Sequence, residues 1–166
     1  VVTQSIDPVR LMPPAGATAL AAFAIPVDPK GNPTGDPTSL DLRDGGLDWC
    51  ADSPARTKTM LIFAQQRGFD YLNPYASARL LDTIHGEYER RLGSHFGKTV
   101  AGTFQDELAI MPRWRSDFPD VFRANAGYDI VPRLAALFED VPGSAQVRTD
   151  YHRVLTNLAE EAFFKP

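Results

Sequence analysis

A run of proline and glycine near the start of the chain limits what the surrounding residues can form. Residues 28–37, DPKGNPTGDP, place a proline or a glycine at every second position. Proline cannot donate a backbone hydrogen bond, and glycine adds backbone freedom that opposes regular structure. The segment therefore predicts a loop, and it excludes a helix or a central strand across these residues.

Short apolar runs lie on both sides of this loop. Residues 17–27 could form a helix by their alanine content, but the proline-rich entry and Pro26 near the end favour a strand. Three further short runs, at 39–43, 47–50 and 58–65, are separated by turn residues. We therefore expect a small β-rich subdomain over residues 1–69.

The pattern changes at Asn73, which is a good N-cap residue and is followed by Pro74 at the first helical position. Apolar side chains then recur at three- and four-residue spacing, and Gly93 is suited to end the helix. The recurring residues are Leu80, Leu81, Ile84, Tyr88 and Leu92. Next, residues 98–104, KTVAGTF, form a β-branched apolar run that is typical of a buried parallel strand. A helix followed by such a strand is half of an α/β repeat.

Three more helices are expected in the last third of the chain. One spans 117–125 and is closed by Gly127, and a second spans 131–138 with Pro132 in its first turn. The third begins near Ser144 and carries one apolar stripe as far as the final residues. The region from residue 70 onward is therefore expected to be mainly α/β.

Composition excludes several classes of function. The 166 residues carry a formal charge of -4 from 17 basic and 21 acidic side chains, which indicates no basic surface for nucleic acid or for an anionic membrane. The longest apolar stretch is far shorter than the roughly 20 residues that cross a bilayer. We therefore expect neither a nucleic-acid partner nor a membrane partner.

Two adjacent carboxylates, Asp106 and Glu107, follow directly after the predicted strand at 98–104. Parallel α/β folds draw catalytic side chains from the carboxyl ends of their strands. Apolar neighbours would raise the pKa of a carboxyl group at this position, which suits a general acid. These neighbours are Phe104, Leu108, Ile110 and Trp114. The alternative is that the acidic pair caps the turn that follows.

Trp114 has two interpretations of its own. An aromatic side chain just beyond a strand end can stack on a sugar ring, whereas large aromatic residues are more often part of the core. Asn73 is equally ambiguous, because it could contact a substrate at the end of the preceding strand or serve only as the N-cap.

Three segments resemble a known family when taken in order: 70–74 (DYLNP), 96–107 (FGKTVAGTFQDE) and 128–130 (YDI). Together with 150–153 (DYHR) they are similar to the central part of bacterial α-L-rhamnosidase-type glycoside hydrolases, such as glycoside hydrolase family 106. Leu108 departs from this pattern, because these sequences often have proline after the acidic pair.

The resemblance implies a fold and a chemistry. The fold class would be α/β, with residues 70–166 as a partial (β/α) TIM-barrel segment and residues 1–69 as an inserted β-rich subdomain. A complete barrel takes about 250 residues, so this chain would be one segment of a larger enzyme. Hydrolysis of a glycosidic bond uses two carboxylates, and Glu107 would be one of them. Asp106 would orient Glu107 or contact a sugar hydroxyl.

The resemblance also implies the ligands. The partner would be an oligosaccharide or glycoside, contacted by Asn73, Trp114 and Tyr71. The family permits calcium, but no D-x-D-x-D-G spacing indicates such a site, so no cofactor is predicted. The second catalytic carboxylate would lie on a later strand.

Two other hypotheses remain open. The chain could be a non-catalytic carbohydrate-binding or structural module, in which Trp114, Tyr71 and Tyr75 offer stacking surfaces and the carboxylates only cap. It could also be an interaction fragment with an incomplete sheet, whose exposed edges would lead to self-association.

Overall fold

The computed structural model describes residues 2–3, 8–52, 55–104, 106 and 111–165. The chain divides into two compact units, each built from two stretches of sequence. The first unit comprises Val1–Gln65 and Ser116–Val154, and the second comprises Gln66–Arg115 and Leu155–Pro166.

The described residues contain short strands in the first half and helices in the second. The strands are β1 (Val2–Thr3), β2 (Val9–Leu11), β3 (Thr18–Pro26), β4 (Thr38–Leu40), β5 (Leu47–Trp49) and β6 (Thr57–Ala64). The α-helices are α1 (Pro74–Leu80), α2 (Gly86–Leu92), α3 (Phe118–Ala126) and α4 (Ser144–Ala159). Shorter helical turns are the π-helical Leu81–His85 and Glu160–Phe164 and the 3-10 turns Gly93–His95 and Val131–Leu137.

The first unit is built on an antiparallel sheet in the order β1-β6-β3-β4, with β2 and β5 paired separately. The two long strands β3 and β6 pair along their whole length, with an irregularity between Ala19 and Ala21. Phe23 and Ile25 of β3 are fully buried, and β3 contacts the 3-10 turn Val131–Leu137. The strand predicted at 17–27 is confirmed.

The predicted loop after β3 is also confirmed. Asp28 organises it, because its Oδ1 accepts hydrogen bonds from the backbone N–H groups of Lys30 and Asn32, each at 2.8 Å. The Asn32 side-chain amide donates to the other carboxylate oxygen at 3.0 Å. These hydrogen bonds, led by that of the Asn32 side chain, lower the pKa of Asp28.

The helices of the first unit begin and end close to the predicted positions. Helix α3 ends at Gly127, whose φ of 81° is left-handed and therefore suits glycine. Phe118, Phe122 and Tyr151 are buried and form edge-on or tilted ring contacts in the core of this unit. The helix predicted at 131–138 is present as a 3-10 turn.

The second unit begins its helical part at Asn73, as predicted. The Asn73 side chain accepts a hydrogen bond from the Tyr75 N–H, and Pro74 is the first helical residue. The helical path continues through α1, the π-helical turn and α2, and α2 ends before Gly93.

The predicted fold class is wrong. Every strand pair among the described residues is antiparallel, and the one parallel contact is an isolated bridge between Phe96 and Val100. A (β/α) TIM-barrel segment requires parallel strands joined by helices, and the described residues contain no such arrangement.

The predicted parallel strand at 98–104 is the particular error. The His95 carbonyl oxygen accepts hydrogen bonds from the backbone N–H groups of Lys98, Thr99 and Val100, with N···O distances of 3.0 to 3.1 Å. These bonds fold the chain into a turn. Gly97, with φ of 73°, supplies the left-handed residue that this turn needs. The N–H groups of these three residues are thus bonded locally and do not pair with a neighbouring strand, and residues 101–104 remain exposed.

Within the described ranges, the longest helices are too short or too polar to pass through a lipid bilayer.

Candidate functional site

The segment 70–74, which was expected to lie at a strand end, forms a turn that leads into α1. Asp70 Oδ1 accepts a hydrogen bond from the Leu72 N–H at 3.2 Å, and the Leu72 side chain is fully buried. The Leu72 carbonyl accepts a 2.7 Å hydrogen bond from the Arg115 guanidinium. Arg115, the residue after Trp114, therefore joins its segment to the turn that contains Tyr71 and Asn73.

Asn73 has the role of the helix cap. Its Oδ1 lies 3.0 Å from the Tyr75 N–H, and its own carbonyl accepts from Ala76 and Ser77. The side-chain oxygen accepts this bond, and its second lone pair and the amide nitrogen are the groups that a substrate could contact. Tyr75, the residue after the first helical position, is 85% exposed.

Tyr71 lies in the core of the second unit. Its ring meets Phe69 at a centroid distance of 4.9 Å and Phe163 at 4.7 Å, both edge-on. Only 8% of the residue is exposed. A ring enclosed in this way supports the fold and offers little face to a sugar.

The acidic pair is only partly described. Asp106 is exposed, and Glu107 lies outside the described residues. Phe104, which was expected to exclude water from this site, is 87% exposed. Phe104 therefore does not provide the apolar surroundings that would raise the pKa of a carboxyl group here. Two of the other expected apolar neighbours, Leu108 and Ile110, lie outside the described residues.

Trp114 is half-buried, and its neighbour Arg115 is also half-buried. The hydrogen bond from Arg115 to the Leu72 carbonyl helps to hold this segment. The structure thus brings the regions of Trp114, Tyr71 and Asn73 into one unit together with Asp106.

A polar network around the buried Asp150 lies in the first unit, at residues to which the sequence interpretation assigned no catalytic or binding role. The Tyr128 hydroxyl donates to Asp150 Oδ2 at 3.1 Å, and the Gln146 amide donates to the same oxygen at 2.9 Å. Arg153 donates to Asp150 Oδ1 at 3.1 Å. Arg133 lies over the Tyr128 ring at 5.1 Å from its centroid, within the range of a cation–π contact.

The network shifts the pKa values of Asp150 and Tyr128. Hydrogen bonds from Gln146, Arg153 and Tyr128, with that from Gln146 the largest cause, lower the pKa of Asp150 against the effect of burial. Burial, followed by the hydrogen bond to Asp150, raises the pKa of Tyr128. Asp150 is therefore held as a carboxylate with several donors, an arrangement that stabilises structure and does not suit a proton donor.

Sequence spacing could have identified part of this network. Gln146 and Arg153 lie four residues before and three residues after Asp150 on one helix, which places all three on the same face. Tyr128 is separated from Asp150 by 22 positions in the sequence, and no local pattern indicates that contact.

A shallow groove of about 380 Å³ also lies in the first unit. Lys58 and Glu139 form a 2.8 Å ion pair at its wall, and both side chains are mostly buried. The remaining lining is largely apolar and includes Met12, Met60 and Phe63.

In the part of the chain that the structure describes, no three His, Cys, Asp or Glu side chains are grouped as metal ligands would be.

Comparison of the chain with protein-family models, with curated proteins and with solved structures found no match.

Proposed function

We propose that this chain acts in the hydrolysis of a glycosidic bond of an α-L-rhamnoside-type substrate, with Glu107 as the carboxylate that transfers the proton. The observation that carries the proposal is the exposure of the segment just before this residue. Phe104 is 87% exposed and Asp106 is also exposed. An exposed aromatic ring and an exposed carboxylate are the two kinds of group that a sugar site combines, and here they are two residues apart in the sequence.

The chemistry assigns different roles to the two acidic residues. A protonated Glu107 donates to the leaving glycosidic oxygen, while a second carboxylate activates water or attacks the sugar carbon from the other side. The two carboxyl groups must stand roughly 5 to 9 Å apart across the bond. Asp106 is the adjacent residue and is therefore assigned to a sugar hydroxyl, and the second carboxylate comes from another segment.

Turnover of a panel of nitrophenyl glycosides that includes the α-L-rhamnoside tests this function. Glu107→Gln should abolish most of the turnover, whereas Asp106→Asn should mainly raise KM. The matched controls are Glu161→Gln and Asp36→Asn, which change exposed carboxylates elsewhere in the sequence. A thermal melt of each variant establishes that folding is unchanged. An unaltered kcat in Glu107→Gln would remove Glu107 from the mechanism.

A non-catalytic carbohydrate-binding module is the second candidate, and it is favoured by Tyr75. This ring is 85% exposed at the start of α1, next to the Asn73 cap. Exposed aromatic rings stack on the apolar faces of sugars. Titration with oligosaccharides, read by calorimetry, should then show binding without turnover. Tyr75→Ala should weaken it, and Phe138→Ala, which removes an exposed ring from the first unit, should not.

The two candidates differ in the outcome of the same two measurements. Turnover that depends on Glu107 supports the hydrolase. Binding that depends on Tyr75, in a chain that cleaves none of the glycosides, supports the module. Neither binding nor turnover with any of the sugars contradicts both.

A further inference from the structure

Residues 101–104 form an exposed segment outside the regular structure. All four residues are exposed, and none of them belongs to a helix or a strand. Among the residues that the structure describes, no hydrogen bond joins this segment to another part of the chain. Phe104 has the largest exposed fraction, 87%, of the large apolar residues in the described ranges. Exposed backbone without such bonds is the preferred site of proteolytic cleavage.

The turn just before this segment differs in its hydrogen bonding. The backbone N–H groups of residues 98–100 donate to the His95 carbonyl. A protein that binds an extended peptide pairs with its backbone as an added strand does, so several consecutive N–H and C=O groups must be available. The turn does not offer these groups, whereas residues 101–104 do. The cleavable stretch therefore begins at residue 101.

Other exposed aromatic residues lie in bonded backbone. The Phe96 N–H donates to the Gly93 carbonyl at 3.2 Å, and the Phe138 N–H donates to the Ala135 carbonyl at 3.1 Å. Their exposed fractions, 43% and 61%, are also smaller than that of Phe104. A protease that selects an apolar side chain should therefore reach Phe104 first.

We propose that the Thr103–Phe104 peptide bond is a processing site, at which an endoprotease with an apolar pocket for the residue after the bond converts the chain into a two-chain form. Water adds to the Thr103 carbonyl carbon, and the bond from this carbon to the Phe104 nitrogen breaks. Thr103 keeps the oxygen as a carboxylate, and the Phe104 nitrogen takes both protons as an ammonium group. The products are residues 1–103 and residues 104–166.

Both products contribute to the first unit. The longer product supplies Val1–Gln65, and the shorter one supplies Ser116–Val154. Strands β3 and β6 of the longer product contact the 3-10 turn Val131–Leu137 of the shorter one. Lys58 and Glu139, one from each product, form the mostly buried 2.8 Å ion pair. Cleavage before Phe104 removes none of these contacts.

The second unit joins the two products in the same way. The Tyr71 ring of the longer product meets Phe163 of the shorter one edge-on at a centroid distance of 4.7 Å. Arg115 of the shorter product donates to the Leu72 carbonyl at 2.7 Å. Helix α1 also contacts the π-helical turn Glu160–Phe164. Because each unit contains residues of both products, the products should stay assembled after cleavage.

Cleavage changes the molecularity of folding while it leaves the contacts in place. In the intact chain, the two stretches of each unit meet at an effective concentration that the connecting peptide sets. In the cut chain they meet at the concentration of the solution. The stability of the two-chain form should therefore rise with protein concentration, whereas that of the intact chain should not.

Limited digestion with thermolysin, which accepts large apolar residues after the scissile bond, tests the site. The first cut should give a product whose N-terminal residue is Phe104, as read by mass spectrometry. Phe104→Ser should slow this cut by at least about tenfold, because the pocket loses the ring. Phe138→Ser is the matched control in the first unit and should leave the rate unchanged. A first cut at another bond of the parent chain, or equal slowing in both variants, would overturn the proposal.

Size-exclusion chromatography of the cut chain tests the assembly. In native buffer the two products should elute together at the position of the intact 18.3 kDa chain, and in urea they should separate. Mixing the separated products after removal of urea should restore the circular dichroism of the cut chain. Separate elution in native buffer would overturn the two-chain form. These measurements do not depend on glycoside turnover.

Phe163→Ala tests whether the shared cores hold the products together. This change removes the ring that meets Tyr71, so reassociation of the separated products should weaken by at least about tenfold. Phe164→Ala changes the adjacent ring, which is 60% exposed, and should have a much smaller effect. A thermal melt of each uncut variant establishes that it folds. Equal reassociation in the two variants would overturn the assembly through shared cores.

Discussion

The Tyr128 hydroxyl donates a 3.1 Å hydrogen bond to Asp150 Oδ2 and so joins the turn after α3 to helix α4. The same carboxylate accepts from Gln146 and Arg153, so its two oxygens have donors on several sides. Buried carboxylates are stable only when they are paired and hydrogen-bonded. This contact therefore makes the stability of the first unit dependent on pH.

The Asp150 carboxylate should stabilise the fold above its unfolded pKa and lose this effect in acid. Its folded pKa is lowered from 3.8, so the contribution is complete above 3.8 and disappears as the pH falls through the lower folded value. Asp150→Asn should reduce the free energy of unfolding at neutral pH, and the difference from the parent chain should shrink in acid. Urea unfolding at a series of pH values measures this difference.

Asp36→Asn is the control for this series, because Asp36 is exposed and lies in the loop after β3. It should change stability little at any pH. A difference between Asp150→Asn and the parent chain that stays constant from neutral to acid pH would contradict the assigned role of the charge.

The ion pair of Lys58 and Glu139 should contribute more than an exposed pair. Their side chains are 23% and 18% exposed, so removal of one leaves a partly desolvated charge. We expect Lys58→Met and Glu139→Gln each to cost about 1 to 2 kcal/mol, and the double variant to cost less than their sum. Denaturant unfolding in a double-mutant cycle gives the coupling energy.

A pair on α1 and its adjoining turn, Arg79 and Asp82, is the comparison for this cycle. It is highly exposed and 3.7 Å apart, so its coupling should not exceed about 0.5 kcal/mol. Equal coupling in the two cycles would show that burial does not strengthen the Lys58–Glu139 interaction.

Asn73 offers a test that separates its structural role from a substrate contact. Asn73→Ala removes the acceptor for the Tyr75 N–H and should destabilise the chain by about 1 kcal/mol. Asn73→Ser keeps a capping acceptor and removes the amide donor without adding a charge, so stability should be largely retained. If Ser at this position also leaves sugar binding intact, the residue acts as a cap alone, whereas weaker binding at unchanged stability assigns the amide to the substrate.

Local features of the fold were predictable because their causes lie within a few residues. Asn73 and Pro74 start a helix, Gly127 ends one, and the run at 28–37 forms a loop because caps, left-handed glycines and missing N–H groups act locally. Strand β3 was predictable for a similar reason, since Pro26 makes a helix unfavourable.

Strand direction and the segment at 98–104 were not predictable from the same pattern. A β-branched run forms a strand only when a neighbouring strand pairs with its backbone. Here the N–H groups of residues 98–100 donate to the His95 carbonyl instead. The π-helical turn at Leu81–His85 was not predicted, because the apolar residues from Leu80 to Leu92 recur with the spacing of a regular α-helix.

The candidate site was predictable only as residue types. Tyr71 and Asn73 lie in one unit with Trp114 and Asp106, but Tyr71 is enclosed by its near neighbour Phe69 and by Phe163 from a distant position in the sequence. Its burial depends on Phe163, near the end of the chain. Tertiary contacts of this kind leave no signal in local spacing.

The two-part composition of the first unit has a consequence for synthesis. Phe23 and Ile25 of β3 leave the ribosome long before the turn Val131–Leu137 that contacts their strand. Residues Gln66–Arg115 of the second unit are translated in between, so the sheet emerges before the turn that packs against it has been synthesised. The nascent chain therefore carries a sheet that this turn does not yet cover, and a truncated chain that ends before Ser116 would expose the buried side chains of β3 to chaperones.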